Sequence, residues 1–114
     1  MSATALKERL RADLKAAMQA RASDEVRLLR TLIAALDNAE AVPGTQGGYV
    51  HRAFGDAGAE VARLELDEKA VDALLTSEAA SRFDAAADYE AHGRGDDAVR
   101  LRAEAAVIAG YRSR

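Results

Sequence analysis

Leu6, Leu10, Leu14 and Met18 recur every fourth residue with Ala17 beside them, so the chain opens on an amphipathic helix with one apolar stripe. Thr4 or Ser2 is its expected N-cap, where a side-chain oxygen takes an unsatisfied N–H of the first turn. Ser23, with Asp24 and Glu25 after it, restarts the pattern: a capping hydroxyl, then acids where the helix dipole favours them. The second helix carries Val26, Leu29, Leu32, Ile33 and Leu36 on one face. Only a residue or two separates the two helices, which predicts an antiparallel hairpin.

Pro43-Gly44-Thr45-Gln46-Gly47-Gly48 breaks the period. From 43 to about 63 the spacing predicts a flexible loop with a short turn near 59–63, long enough to read as functional or mobile. Asp67 then caps a third helix, with Glu68 in its first turn. Val71, Leu74, Leu75, Phe83, Ala86 and Ala87 make its apolar face, and Gly93 suits the left-handed position that ends it. Asp96 and Asp97 open a fourth helix whose face is Ala98, Leu101, Ala105, Ile108 and Tyr111. Asp96 and Arg100 stand four apart, acid first, the favourable order for a helical ion pair. The expectation is an all-α protein of two helical hairpins (four helices) joined by a Gly/Pro-rich loop, forming a single domain over 1–114.

Composition supports helices and limits the core. Of the 114 residues 49% are hydrophobic, but about half of these are alanine, which buries little area per residue. Leu, Ala, Glu and Arg favour helices, and β-branched and aromatic residues are scarce. So thin a core makes a homodimer a reasonable expectation.

A net charge of -3 and a pI near 5.4 disfavour a general polyanion binder. With no cysteine, disulfides and thiolate chemistry are excluded. Lys7, Glu8, Arg9 and Arg11 interrupt what a signal peptide needs, and no apolar run approaches a membrane span. A cytoplasmic location is expected.

Candidate chemistry is sparse. His92 ends the third helix, where a cation gains from the dipole, and His51 lies in the glycine-rich loop; neither has metal-ligand spacing, so no metal is expected. Gly44 to Gly48 lacks the strand, helix start and lysine of a phosphate loop. The pairs Asp84/Asp88 and Asp96/Asp97 fall on polar faces or first turns, which solvation and capping explain. No cofactor and no catalytic residue is expected. The basic residues read either as a mixed, solvated surface, since Glu8, Asp13, Glu25, Asp37, Asp96, Asp97 and Glu104 interleave with them, or as a phosphate-binding cluster. Lys7, Arg11 and Lys15 form a stripe beside the leucines, and Arg27, Arg30, Arg94 and Arg100 are the candidate RNA- or partner-binding residues.

Several segments, in order, resemble one family. Residues 6–18 (LKERLRADLKAAM), 28–40 (LLRTLIAALDNAE) and 65–71 (ELDEKAV) are similar to the opening helices and acidic cap of the YqeY-like proteins. Tyr89-Glu90-Ala91-His92-Gly93-Arg94, then Arg102-Ala103-Glu104, Ile108 and Tyr111, resemble the last two helices of that family's N-terminal half. These proteins are related to the tail of the GatB subunit of the bacterial Asp/Glu-tRNA amidotransferase. The family continues through a Leu-Pro step into a second helical domain, the part implicated in touching tRNA, so the resemblance covers the N-terminal helical half only.

The resemblance implies a non-enzymatic module with an accessory, tRNA- or protein-binding role linked to tRNA-dependent amidation. It places Arg30 in the Leu-Arg-Thr-Leu core of the second helix. The family label implies carbon–nitrogen ligase chemistry with glutamine as amido donor, but that chemistry resides in other domains and subunits. The alternative is a structural homo-oligomerising helical domain without RNA binding, burying its Leu101/Ile108 face between chains.

Overall fold

A computed structural model describes residues 1–41 and 65–112. Among them are four helices and no strand: α1 (Ala3–Gln19), α2 (Ser23–Ala39), α3 (Glu68–Ala91) and α4 (Gly95–Arg112). Helix α1 packs on α2 and α3 on α4, the two hairpins predicted from the periodicity. The chain divides into two compact units, Ala3–Leu66 and Met1–Ser2 with Asp67–Arg114. The predicted loop over 43–63, its turn and His51 lie outside the described residues.

Leucines make the core of the first hairpin. Leu6 and Leu10 of α1 and Leu29, Leu32 and Leu36 of α2 are fully buried, and Leu28 and Ala17 nearly so. Each buried leucine contributes roughly 1.5–3 kcal/mol. The stripe expected on α1 leaves the core before its end, since Leu14 is half-buried and Met18 is 50% exposed. An every-fourth-residue row drifts about 40° per step around a helix of 3.6 residues per turn. Three steps carry Met18 off the line begun at Leu6, and Ala17 takes the inward place. On α2, Leu28 joins the core unforeseen, and Val26 and Ile33 are only half-buried.

The second hairpin packs on smaller side chains: Val71, Leu75, Ala79 and Ala86 of α3 with Ala98, Ala105, Ile108 and Tyr111 of α4. Phe83, expected on this face, is 49% exposed, and Ala87 is exposed with it. The inward line of α3 passes through Ala79, Arg82 and Ala86, and Phe83 lies about 100° round the helix from Arg82. Leu74 and Leu101 are half-buried.

Both hairpins close on the same three-residue turn, Ala20-Arg21-Ala22 in the first and His92-Gly93-Arg94 in the second. In the first, Ala22 N–H donates to Ala17 O at 2.9 Å and Arg21 N–H to Met18 O at 3.1 Å. In the second, Arg94 N–H donates to Tyr89 O at 2.8 Å and Gly93 N–H to Glu90 O at 3.1 Å. This is the Schellman pattern, which satisfies carbonyls that a helix end leaves open. It demands a left-handed residue at its centre: Gly93 has φ 74° as predicted, but Arg21 takes the same role at φ 58°.

Capping follows the prediction at α3 and departs from it at α2; at α1, Ser2 of the two expected caps is the residue just before the helix. Asp67 Oδ1 accepts Ala70 N–H at 2.7 Å. Ser23 is the first residue inside α2, not its cap; the cap is Ala22, with no side-chain bond. Thr4 stands within α1, and its hydroxyl donates to Glu65 Oε2 at 2.9 Å.

Candidate functional site

The four candidate arginines fall into two separate pairs. On α2, Leu28, Leu29, Leu32 and Leu36 face inward, and Arg27 and Arg30 lie about 150° round the helix from the middle of that stripe, so they turn outward. Arg30, in the Leu-Arg-Thr-Leu segment that the resemblance singles out, is exposed. The turn brings Met18 and Arg21 beside them. Met18, Arg21, Val26, Arg27, Arg30 and Thr31 line a shallow open groove to which no carboxylate contributes. Arg27 Nη1 reaches Asp24 Oδ1 just outside it at 3.4 Å, with both side chains 68% exposed, so that pair restrains the guanidinium little. Arg30 Nη2 lies 4.0 Å from Met18 Sδ.

Arg94 and Arg100 gather around one acid at the start of α4. Arg94 Nη2 is 2.7 Å from Asp97 Oδ2, and Arg100 Nη2 donates to Asp97 Oδ1 at 3.1 Å. Arg100 also stands 3.6 Å from Glu104 Oε2. The hydrogen bond from Arg100, with the charge of Arg94 behind it, holds the Asp97 carboxyl below its ordinary 3.8 against the opposing effect of burial. The Arg94 guanidinium lies 5.0 Å from the Tyr89 ring centroid, a cation–π contact. Beside it, His92 Nδ1 is 2.7 Å from Asp88 O, and since a carbonyl only accepts, Nδ1 carries a proton. These two arginines share Asp97 at the start of α4, whereas Arg27 makes an exposed contact with Asp24 and Arg30 lies beside Met18.

The basic stripe expected on α1 loses its first member. Lys7 turns toward α2, donating to Glu40 Oε1 at 2.5 Å and Asp37 Oδ1 at 3.3 Å, while Arg11 and Lys15 stay exposed. Glu40 is only 3% exposed, and its second oxygen accepts Leu66 N–H at 3.4 Å. The hydrogen bond from Glu40 raises the Lys7 pKa above its ordinary 10.5 despite the opposing effect of burial. No described buried side-chain polar atom lacks a partner. This cluster is structural, and nothing in the spacing of Lys7 and Glu40 pointed to it.

Asp84, Asp88 and Asp96 are exposed, as expected of solvated or first-turn acids. Among the described residues no three His, Asp or Glu side chains gather as metal ligands, and no helix is long and apolar enough to cross a membrane. Arg21 and Met18 join the groove without having been expected there. The drift of the every-fourth row was the available signal for Met18; Arg21 required the turn. No model of a known protein family matches the sequence, and no curated protein does.

Proposed function

We propose that this chain is a non-enzymatic binding module of the YqeY-like kind, and that its α2 groove takes the phosphate backbone of a structured RNA. The observation that carries this reading is the groove itself: Arg21, Arg27 and Arg30 converge on it without a carboxylate in its lining. Phosphates bind through such local clusters even on a protein of net negative charge. The apolar floor of Met18 and Val26 offers no base-stacking ring, which fits backbone contact without sequence reading. The resemblance names tRNA as the class of RNA and an accessory role in tRNA-dependent amidation as the setting.

Electrophoretic retardation of tRNA at near-physiological salt tests this. Arg27→Glu with Arg30→Glu should abolish the shift and leave the circular dichroism spectrum unchanged. Neutral Arg27→Gln with Arg30→Gln should lower the salt dependence of binding by about 0.9 per lost contact. Retention of full tRNA affinity by the double Glu variant, or no retardation by the native chain, sinks the reading.

A further inference from the structure

Helix α3, at 24 residues, is the longest of the described helices, and it carries a second pattern that its own hairpin does not use. Lys69, Ala73, Thr76, Ala80, Phe83, Ala87 and Glu90 follow one another at alternating steps of four and three, and all seven are exposed. That spacing is the heptad seam by which one helix packs along another. It rises about 30 Å along the helix. Val71, Leu75, Ala79 and Ala86, the inward residues, occupy a different face.

We infer that this seam binds a second copy of the chain, with the two α3 helices antiparallel. The charges select both occupant and direction. The five central positions are uncharged, Lys69 closes one end and Glu90 the other. A parallel copy sets Lys69 against Lys69 and Glu90 against Glu90. An antiparallel copy with Phe83 opposite Ala73 brings each Lys69 within about one helical turn of the other copy's Glu90. The same register seats the one large side chain of the seam over a methyl group, at both ends of the contact. Lys69 is exposed and forms no ion pair among the described residues, and Glu90 accepts from Arg102 of α4 at 2.8 Å while its side chain stays 62% exposed, within reach of a second cation. The face earlier assigned to such an interface does not serve, because Ile108 is fully buried within the hairpin.

Sedimentation equilibrium over a concentration series tests the inference. The native chain should show a reversible monomer–dimer equilibrium, and Phe83→Asp should weaken it about tenfold or more while the helical circular dichroism and melting temperature hold. Lys69→Glu and Glu90→Lys should each weaken dimerisation, and the double variant should restore it, since only the antiparallel arrangement recovers opposite charges. A native monomer at every concentration overturns the inference, as does a dimer indifferent to Phe83→Asp. Failure of the charge exchange to restore a dimer that Phe83→Asp disrupts overturns the antiparallel direction. None of these substitutions touches the arginine groove of α2, so the outcome is separate from RNA binding.

Discussion

Arg82 Nε donates to Glu104 Oε1 at 3.3 Å, and this ion pair stands where the first hairpin has leucines. Arg82 and Glu104 lie at equal distances either side of Gly93, and Leu10 and Leu32 lie at those same distances either side of Arg21. Because the two turns are the same, the positions correspond. One hairpin fills them with two fully buried leucines, the other with side chains 15% and 17% exposed, Arg82 being bound also to Glu78 Oε1 at 3.0 Å.

Removing one member of that pair should therefore cost more than removing both. Arg82→Leu leaves Glu104 with Arg100 at 3.6 Å, and Glu104→Leu leaves Arg82 with Glu78 at 3.0 Å, so each largely desolvated charge loses one of its partners at a cost of roughly 1 kcal/mol. The double leucine variant should recover most of it. Thermal melts of the three variants check this, and additive losses contradict it.

The two turns predict substitutions of opposite sign. At Gly93 a Cβ meets nothing within 4 Å, so Gly93→Ala costs only the left-handed backbone penalty, about 1 kcal/mol. At Arg21 that penalty is already present, so Arg21→Gly should stabilise by roughly 0.5–1 kcal/mol after the flexibility of glycine in the unfolded chain is counted. Denaturant midpoints measured side by side give both signs. Arg21→Gly also removes a groove arginine, so its effect on RNA binding is read separately.

Lys7 gives an alkaline signature. Its pKa is raised in the folded chain, chiefly by the hydrogen bond to Glu40, so its stabilising contribution is complete below the ordinary 10.5 and disappears as pH rises through the higher folded value. The native chain should lose melting temperature in that window more steeply than Lys7→Met. Parallel slopes for the two proteins count against the Lys7–Glu40 pair.

Asp97 gives the acid counterpart. Its pKa is lowered by Arg100 first and by Arg94, so its contribution is complete above the ordinary 3.8 and is lost as pH falls through the lower folded value. Carbon-detected NMR titration should place the Asp97 carboxyl midpoint below 3.8, and Arg100→Gln should move it back up. An unmoved midpoint in that variant removes Arg100 as the main cause.

Much of the fold was legible because it is local. Asp67 and Gly93 were readable from the sequence: a cap needs one side-chain oxygen beside a free N–H, and a left-handed turn needs a residue without a Cβ. Ser23 misled for the converse reason, since the turn from α1 placed Ala22 at the cap and carried the hydroxyl one residue into the helix. Of the candidate site, Arg27 and Arg30 were identified as basic residues of α2. Their separation from Arg94 and Arg100 depends on which acids lie nearby in space, and Asp97 answers for the second pair only.

By itself the sequence determined the four helices and their pairing into hairpins, because periodicity, caps and short connections act within a few residues of one another. Tertiary structure decided how each helix is rotated about its axis, and this sets the chemistry of every face. That rotation turned Lys7 in toward Glu40 and Arg82 in toward Glu104, and left Phe83 and Arg30 outside. The physical reason is that an apolar stripe leaves tens of degrees of freedom, and only contact with the partner helix removes it.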